Sequence, residues 1–132
     1  MEKTLVIIKP DALQNRWAGK IISIFEDMAL EIIQAEMMML SDEMLEEHYS
    51  HLVDKDFFPE IKEFMQSLPV LVLTLQGNNA VANIRKEVGA TDPDKADKGT
   101  IREQFGTDVM WNAVHASDSV ENAEAEITRF FG

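Results

Sequence analysis

The stretch Val109-Met110-Trp111-Asn112-Ala113-Val114-His115-Ala116-Ser117-Asp118-Ser119 carries the architecture of this chain. Its apolar part, Val109 to Val114, reads as a strand. Ser117, Asp118 and Ser119 can each start a helix, because a short oxygen-bearing side chain accepts one of the free N–H groups of a first turn. Glu121, Glu124 and Glu126 follow, and acidic residues suit the early turns of a helix. His115 thus falls at a strand-to-helix junction, beside a positive helix end and at the mouth of the fold. That end favours the neutral imidazole, the nucleophilic form near pH 7. On residue type alone, a buried histidine bonded to a backbone carbonyl competes with this reading.

Outward from that junction the chain alternates strands and helices. Leu5 to Ile8 is a short β-rich apolar run. Trp17, Ile21, Ile24, Phe25 and Met28 recur at helical spacing. Ile32 to Leu40 reads as a second strand, and Ser41 caps a short acidic helix with Met44, Leu45 and His48 at helical spacing. Phe57, Ile61, Phe64, Met65 and Leu68 mark another helix, ended by Pro69, and Val70 to Leu75 is a buried third strand. Asn78 or Asn79 can cap a helix carrying Val81, Ile84 and Val88, which Gly89 stops. Ala123, Ile127 and Phe130 line a last helix. The order suits a four-stranded sheet with helices packed on one face, the ferredoxin-like α/β plan. The segment Gly89 to Asp108 has little apolar periodicity. Ile101, Phe105, Gly99 and Gly106 argue that it is an ordered, functional loop.

With 132 residues, the chain is expected to be a single domain over 1–132, able to bury about two-thirds of its unfolded surface. The absence of cysteine excludes disulfides and thiolate metal sites. No run approaches a membrane span, and Met1-Glu2-Lys3 leads into a strand rather than a signal peptide, so a cytoplasmic location is expected. The net charge of −12 argues against a non-specific nucleic-acid binder, which needs a basic face. It also makes each of the 12 Lys and Arg residues informative.

No Gly-x-x-x-x-Gly-Lys-Ser/Thr loop is present, so scattered cations and donors must hold any phosphate. Lys9, at a strand end, can act as a point charge or be a solvated lysine. Arg85 borders an apolar helix face, where the sequence alone favours a surface role over a phosphate contact. Arg102 lies in the long loop, and its fork suits two phosphate oxygens. Thr91 and Asn112 offer neutral hydrogen bonds, and Tyr49 a phenol. Phe57 can stack on a nucleobase or pack in the core. His48 and His51, in an acidic helical stretch, read as solvated or structural. The methionines, including Met37 to Met39, read as core and interface filler. Strand alternation sends at least one of those three to each face, so a partner subunit is expected over them.

Four segments occur in order: Lys9-Pro10-Asp11 after the first strand, Gly89-Ala90-Thr91-Asp92-Pro93, Gly99-Thr100-Ile101-Arg102, and Asn112-x-x-His115-x-Ser117-Asp118-Ser119. Together they resemble the nucleoside diphosphate kinases, in register from about Lys3 to Phe131. The resemblance implies an antiparallel ferredoxin-like sheet and transfer of a γ-phosphate from a nucleoside triphosphate to a diphosphate, with low base selectivity. His115 would be the phosphorylated nucleophile. Lys9, Thr91, Arg85, Arg102 and Asn112 would hold phosphates and sugar, and Phe57 would stack on the base. Tyr49, Ser117 and Glu126 would orient the catalytic groups. Mg²⁺ would bridge the nucleotide phosphates without direct protein ligands, and Asp118 can reach it through water. A homo-oligomer, a tetramer or hexamer built from dimers, is also implied. Ala116 and Ala12 replace family glycines, Lys98 a loop proline, Glu103-Gln104 a Gly-Asp pair and Trp111 an arginine. Set beside longer members, the chain is expected to lack their C-terminal extension. A nucleotide-binding module without catalysis and a structural assembly protein are the rival readings, and neither needs His115, Lys9, Arg102, Asn112 and Glu126 together.

Overall fold

In the computed structural model, which describes residues Met1–Gly132, the four strands are β1 (Glu2–Ile8), β2 (Glu31–Met38), β3 (Val70–Gly77) and β4 (Val114–Ala116). They form one sheet in the order β2-β3-β1-β4, and every pairing is antiparallel. Seven helices join them: α1 (Pro10–Gln14), α2 (Ala18–Asp27), α3 (Asp42–His48), α4 (Phe58–Met65), α5 (Ala80–Val88), α6 (Ile101–Phe105) and α7 (Val120–Phe131). This is the ferredoxin-like order expected from the sequence.

Helices cover both faces of the sheet rather than the expected single face. Side chains alternate across a strand, and β1 is apolar at consecutive positions. Val6 and Ile8 pack with Leu73, Leu75, Ile21 and Phe25 of α2, Ile84 and Val88 of α5, and Ile101. Leu5 and Ile7 pack with Val70, Val72, Leu45 of α3, Ile61 and Phe64 of α4, and Phe130 of α7. An unbroken apolar run is the mark of a strand buried on both sides.

Local chemistry explains most element ends. Ser41 Oγ accepts the Met44 N–H at 3.1 Å, and Ser119, of the three candidates, caps α7 through the Asn122 N–H at 3.0 Å. Gly89 ends α5 at φ 89°, with Thr100 Oγ1 2.6 Å from where a Cβ would stand. Neither Asn78 nor Asn79 caps α5 with its side chain: Asn79 sits at φ 50°, and the Glu2 carboxylate accepts the Val81 N–H instead. Between Gly89 and Asp108, a 3₁₀ turn at Pro93–Lys95 and α6 give the loop order, anchored by fully buried Ile101.

The last strand is shorter than its apolar run. Val109 to Asn112 lie outside β4, held in a turn by the Asp108 carboxylate, which accepts the Met110 and Trp111 N–H groups. Ala113 then adopts φ 75°, and the Val114 N–H reaches back to the Asn112 carbonyl at 2.9 Å. Such a backbone is costly for a residue with a Cβ. It is clamped from both sides. Lys9 N–H donates to the Ala113 carbonyl at 2.9 Å, and the buried Asp11 carboxylate accepts the Ala113 N–H at 3.0 Å. The start of α1 thereby fixes the residue two positions before His115.

Candidate active site

The helix-flanked mouth of the sheet opens as a cavity of about 570 Å³. Lys9, Tyr49, Phe57, Arg85, Thr91, Arg102, Asn112, His115, Asp118 and Glu126 all line it. Ser117, fully buried, sits behind Glu126. Every site position read from the sequence therefore converges on one place, drawn from β1, α3, α4, α5, α6, β4 and α7.

His115 lies in β4 with its ring partly open to the cavity. Its Nε2 stands 3.0 Å from Glu126 Oε1, and Ser117 Oγ donates to the same oxygen at 2.6 Å. Burial alone would raise the Glu126 pKa. Hydrogen bonding and charge from His115, together with the Ser117 hydroxyl, outweigh it and hold the carboxyl at about 2. An ionised carboxylate only accepts, so Nε2 carries the proton and Nδ1 keeps the lone pair.

Positive charge is gathered nearby. Lys9 Nζ donates to Asn112 Oδ1 at 2.8 Å, and Asn112 Nδ2 donates to the Thr91 carbonyl at 3.0 Å. Burial, then the charge of Arg102, lower the Lys9 pKa to about 8, against the pull of Asp11 and Asp108. Arg102 is buried and spends two donors on backbone: Nη1 on the Gly89 carbonyl at 3.1 Å and Nη2 on the Val114 carbonyl at 2.9 Å. Its Nε has no partner. Arg85, exposed on α5, donates to the Ala116 carbonyl at 3.2 Å. Tyr49 keeps its proton, because burial and then the Glu126 charge push the phenol up to about 12.

At the outer end, Phe57 is 44% exposed and Val109 60%, so neither is core. Both line the cavity together with Leu52. Phe58, one residue on, is the buried partner of the pair.

Of the two roles the sequence leaves open for His48, solvated or structural, the fold gives it the structural one. It is buried, with its ring edge-on to His115 at 4.6 Å between centroids. Burial, then the His115 charge, lower its pKa to about 3. The signal was its spacing from Met44 and Leu45 on the apolar stripe of α3. His51 is exposed at the rim. His48, His115 and Glu126 bring possible metal-binding atoms within 4.8 Å of one another. The Arg129 guanidinium already occupies the His48 Nδ1 lone pair at 3.0 Å, and the surrounding cations oppose a metal held by protein alone. Sequence reasoning also passed over Asp11 and Arg129, whose roles depend on long-range contacts, and Val109, which it placed inside a strand.

A partly exposed histidine bonded through one nitrogen faces a cavity lined by four cations, Lys9, Arg85, Arg102 and Arg129, an arrangement that suits an anionic ligand. The family model for nucleoside diphosphate kinase matches residues 2–132. The chain belongs to the nucleoside diphosphate kinase family. It is 46% identical, over its whole length and 88% of the relative's, to a nucleoside diphosphate kinase of Symbiobacterium thermophilum. It is 50% identical, over 99% of its length and 94% of the relative's, to one from Wolbachia. The nucleoside diphosphate kinase structure of Encephalitozoon cuniculi superposes with a TM-score of 0.96 at 42% identity, over 100% of this chain and 90% of that one. The halophilic nucleoside diphosphate kinase of Halobacterium salinarum, solved in complex with CDP, gives 0.94 at 36% identity, over 98% and 87%. The chain is thus an enzyme of the phosphotransferase class, like the nucleoside diphosphate kinases it matches. None of its helices is long and apolar enough to cross a membrane.

Proposed function

We propose that this enzyme moves the γ-phosphate of a nucleoside triphosphate to a nucleoside diphosphate in two half-reactions, through phospho-His115. The observation that carries the reading is the bond between His115 Nε2 and Glu126, which leaves Nδ1 as the nucleophile. In the first half-reaction Nδ1 forms a bond to the γ-phosphorus, and the bond from that phosphorus to the β,γ-bridging oxygen breaks. The diphosphate leaves with the bridging oxygen and its electron pair. The second half-reaction reverses these events with a new diphosphate. The ring Nε2–H stays on Glu126 throughout, so the charge gained by the imidazole lies against a carboxylate.

Phosphoryl transfer needs positioning and electrostatics more than covalent help. Lys9, Arg85 and Arg102 supply positive charge, and Thr91 and Asn112 neutral hydrogen bonds. The unpartnered Nε of Arg102 marks unused donor capacity in the site. Tyr49 and Ser117 orient the reacting groups. Exposed Asp118 is the residue that would meet a Mg²⁺ ion through water, and such an ion, carried in with the nucleotide, would supply positive charge for the leaving diphosphate.

Phe57 and Val109 offer the base an apolar slot rather than a hydrogen-bonding edge, which supports low selectivity. Rates for different diphosphates are expected within about two orders of magnitude. Homo-oligomerisation is part of the same proposal: β2 is an unpaired sheet edge, exposed at every position but its last, and it carries Ile32, Ile33 and Met37. A dimer joined along this edge would be the building block of the proposed tetramer or hexamer.

Initial-rate kinetics test the reading. Parallel double-reciprocal lines for varied triphosphate and diphosphate are expected, and intersecting lines would exclude a phosphoenzyme shuttle.

A further inference from the structure

Arg129 lies one helical turn beyond Glu126 on α7 and lines the same cavity, but none of the roles assigned above to the phosphate site falls to it. Its Nη1 is 3.0 Å from Nδ1 of His48, and its Nε is 3.4 Å from the exposed Glu47 carboxylate. A guanidinium has donors only and stays charged. Nδ1 of His48 must therefore accept, and the one proton of the neutral ring sits on Nε2. Residues three apart on a helix share a face, so α7 grips two histidines. Glu126 takes Nε2 of His115, and Arg129 takes Nδ1 of His48. The two rings meet edge-on at 80°. Phe130 closes on His48 from a further side at 5.2 Å, and Tyr49 at 4.8 Å.

We propose that Arg129 is a positioning residue acting through His48: it locks His48 as the neutral Nε2–H tautomer, and the locked ring walls one side of the His115 imidazole. The proposal rests on His115 being the nucleophile. A wall is useful because His115 has only one hydrogen bond, at Nε2, and that bond leaves rotation about its own axis free. A 1 Å misplacement of a reacting group costs on the order of a hundredfold in rate.

The lock matters because of what His48 would otherwise do. Its nitrogen lies close enough to Glu126 and His115 to compete for the carboxylate. Released from Arg129, the ring can flip, change tautomer or take a proton, and each change pulls Glu126 from His115. The groups facing His48 are His115 from β4, Glu126 and Arg129 from α7, and Lys9 from the end of β1, beside Tyr49 in its own segment. Of these, Glu126 alone favours the charged ring, and His115, Arg129 and Lys9 oppose it, after burial. Loss of Arg129 therefore removes both the acceptor's partner and a repelling charge.

The test uses the full-length protein with ¹⁵N-labelled histidine, as wild type, Arg129→Met and Arg129→Lys. Ring nitrogen shifts report the tautomer, and single-turnover phosphorylation by γ-labelled ATP reports His115. In the wild type, His48 is expected as the neutral Nε2–H form at neutral pH. In Arg129→Met the tautomer becomes mixed, and the maximal phosphorylation rate falls on the order of tenfold or more with little change in ATP affinity. That loss should deepen toward acid pH as His48 gains protons. Arg129→Lys keeps a donor and should restore the tautomer and part of the rate. A wild-type proton on Nδ1 of His48 overturns the proposal, as does a mixed tautomer in Arg129→Met at the wild-type rate. So does a rate loss that follows the melting temperature and is not rescued by lysine. Absence of label on wild-type His115 would instead overturn the phosphohistidine reading, while the tautomer data would still report the Arg129–His48 bond.

Discussion

Glu126 holds Nε2 of His115 from only eleven positions away in sequence. The three residues of β4, the Ser117-Asp118-Ser119 turn and the first two turns of α7 carry both partners. Distant residues complete the geometry: β4 pairs with β1, and Asp11 and Lys9 set the backbone just before His115.

Glu126→Gln keeps the shape of this contact and removes its charge. The Nε2–H then loses a charge-assisted bond worth roughly 1.5–3 kcal/mol, and the imidazole loses the anion that offsets its developing charge. The maximal rates of both half-reactions should fall about ten- to a hundredfold, with nucleotide affinity nearly unchanged. Rapid-quench measurement of each half-reaction checks this; an effect on affinity alone would place Glu126 in binding instead.

The pH dependence follows from three displaced groups. Lys9 titrates at about 8 instead of 10.5, so kcat/KM should decline above about pH 8, since that ratio reports the free enzyme. Stability should move the other way. Between those two values the unfolded chain holds a proton that folded Lys9 has released, so this residue adds stability as pH rises. On the acid side, His48 at about 3 instead of 6.5 and Glu126 at about 2 instead of 4.5 both stay unprotonated in the fold. Their contribution is lost as pH falls through each window. Urea midpoints from acid to alkaline pH, beside rate profiles, check both signs.

Arg102 has two duties, and Arg102→Lys should reveal both. The bonds to the Gly89 and Val114 carbonyls tie the long loop to β4. A lysine cannot span both, and a buried carbonyl left unpaired costs about 1–3 kcal/mol, so the melting temperature should drop by several degrees. Single-turnover rates measured well below that temperature should still fall by about ten- to a hundredfold, because a point charge replaces a fork. Wild-type rates there would make Arg102 an anchor only.

Sequence patterns carried the sheet, the main helices and the ring of site residues, because each depends on local periodicity, capping or a motif. Ser41 and Gly89 act as their types predict. The misreadings share a physical cause. Val109 to Val114 is apolar but is split by the positive φ of Ala113, which is held by Asp11 from 102 residues away. The start of α5 is capped by Glu2, 79 residues away. Helix α1, begun by Pro10 at its first position, was hidden by its short length. For His48 the acidic neighbours leave a solvated and a structural role both open, and its place beside Met44 and Leu45 on the α3 stripe decides for the buried, structural one.

The exposed edge of β2 predicts association. A charged residue in place of Ile33 or Met37, exposed at 40% and 52% in the single chain, should shift the protein to a smaller species without unfolding it. Sedimentation equilibrium at micromolar concentration checks this. A wild-type mass near 15.0 kDa would contradict the expectation.

The most direct test of the central claim is to label the enzyme with γ-labelled ATP and locate the phosphate. An acid-labile, alkali-stable phosphoryl group is expected on Nδ1 of His115, discharged by added nucleoside diphosphate and absent in His115→Ala, whose circular dichroism should match wild type. Acid-stable label, label on another residue, or full nucleotide exchange activity in His115→Ala would contradict it.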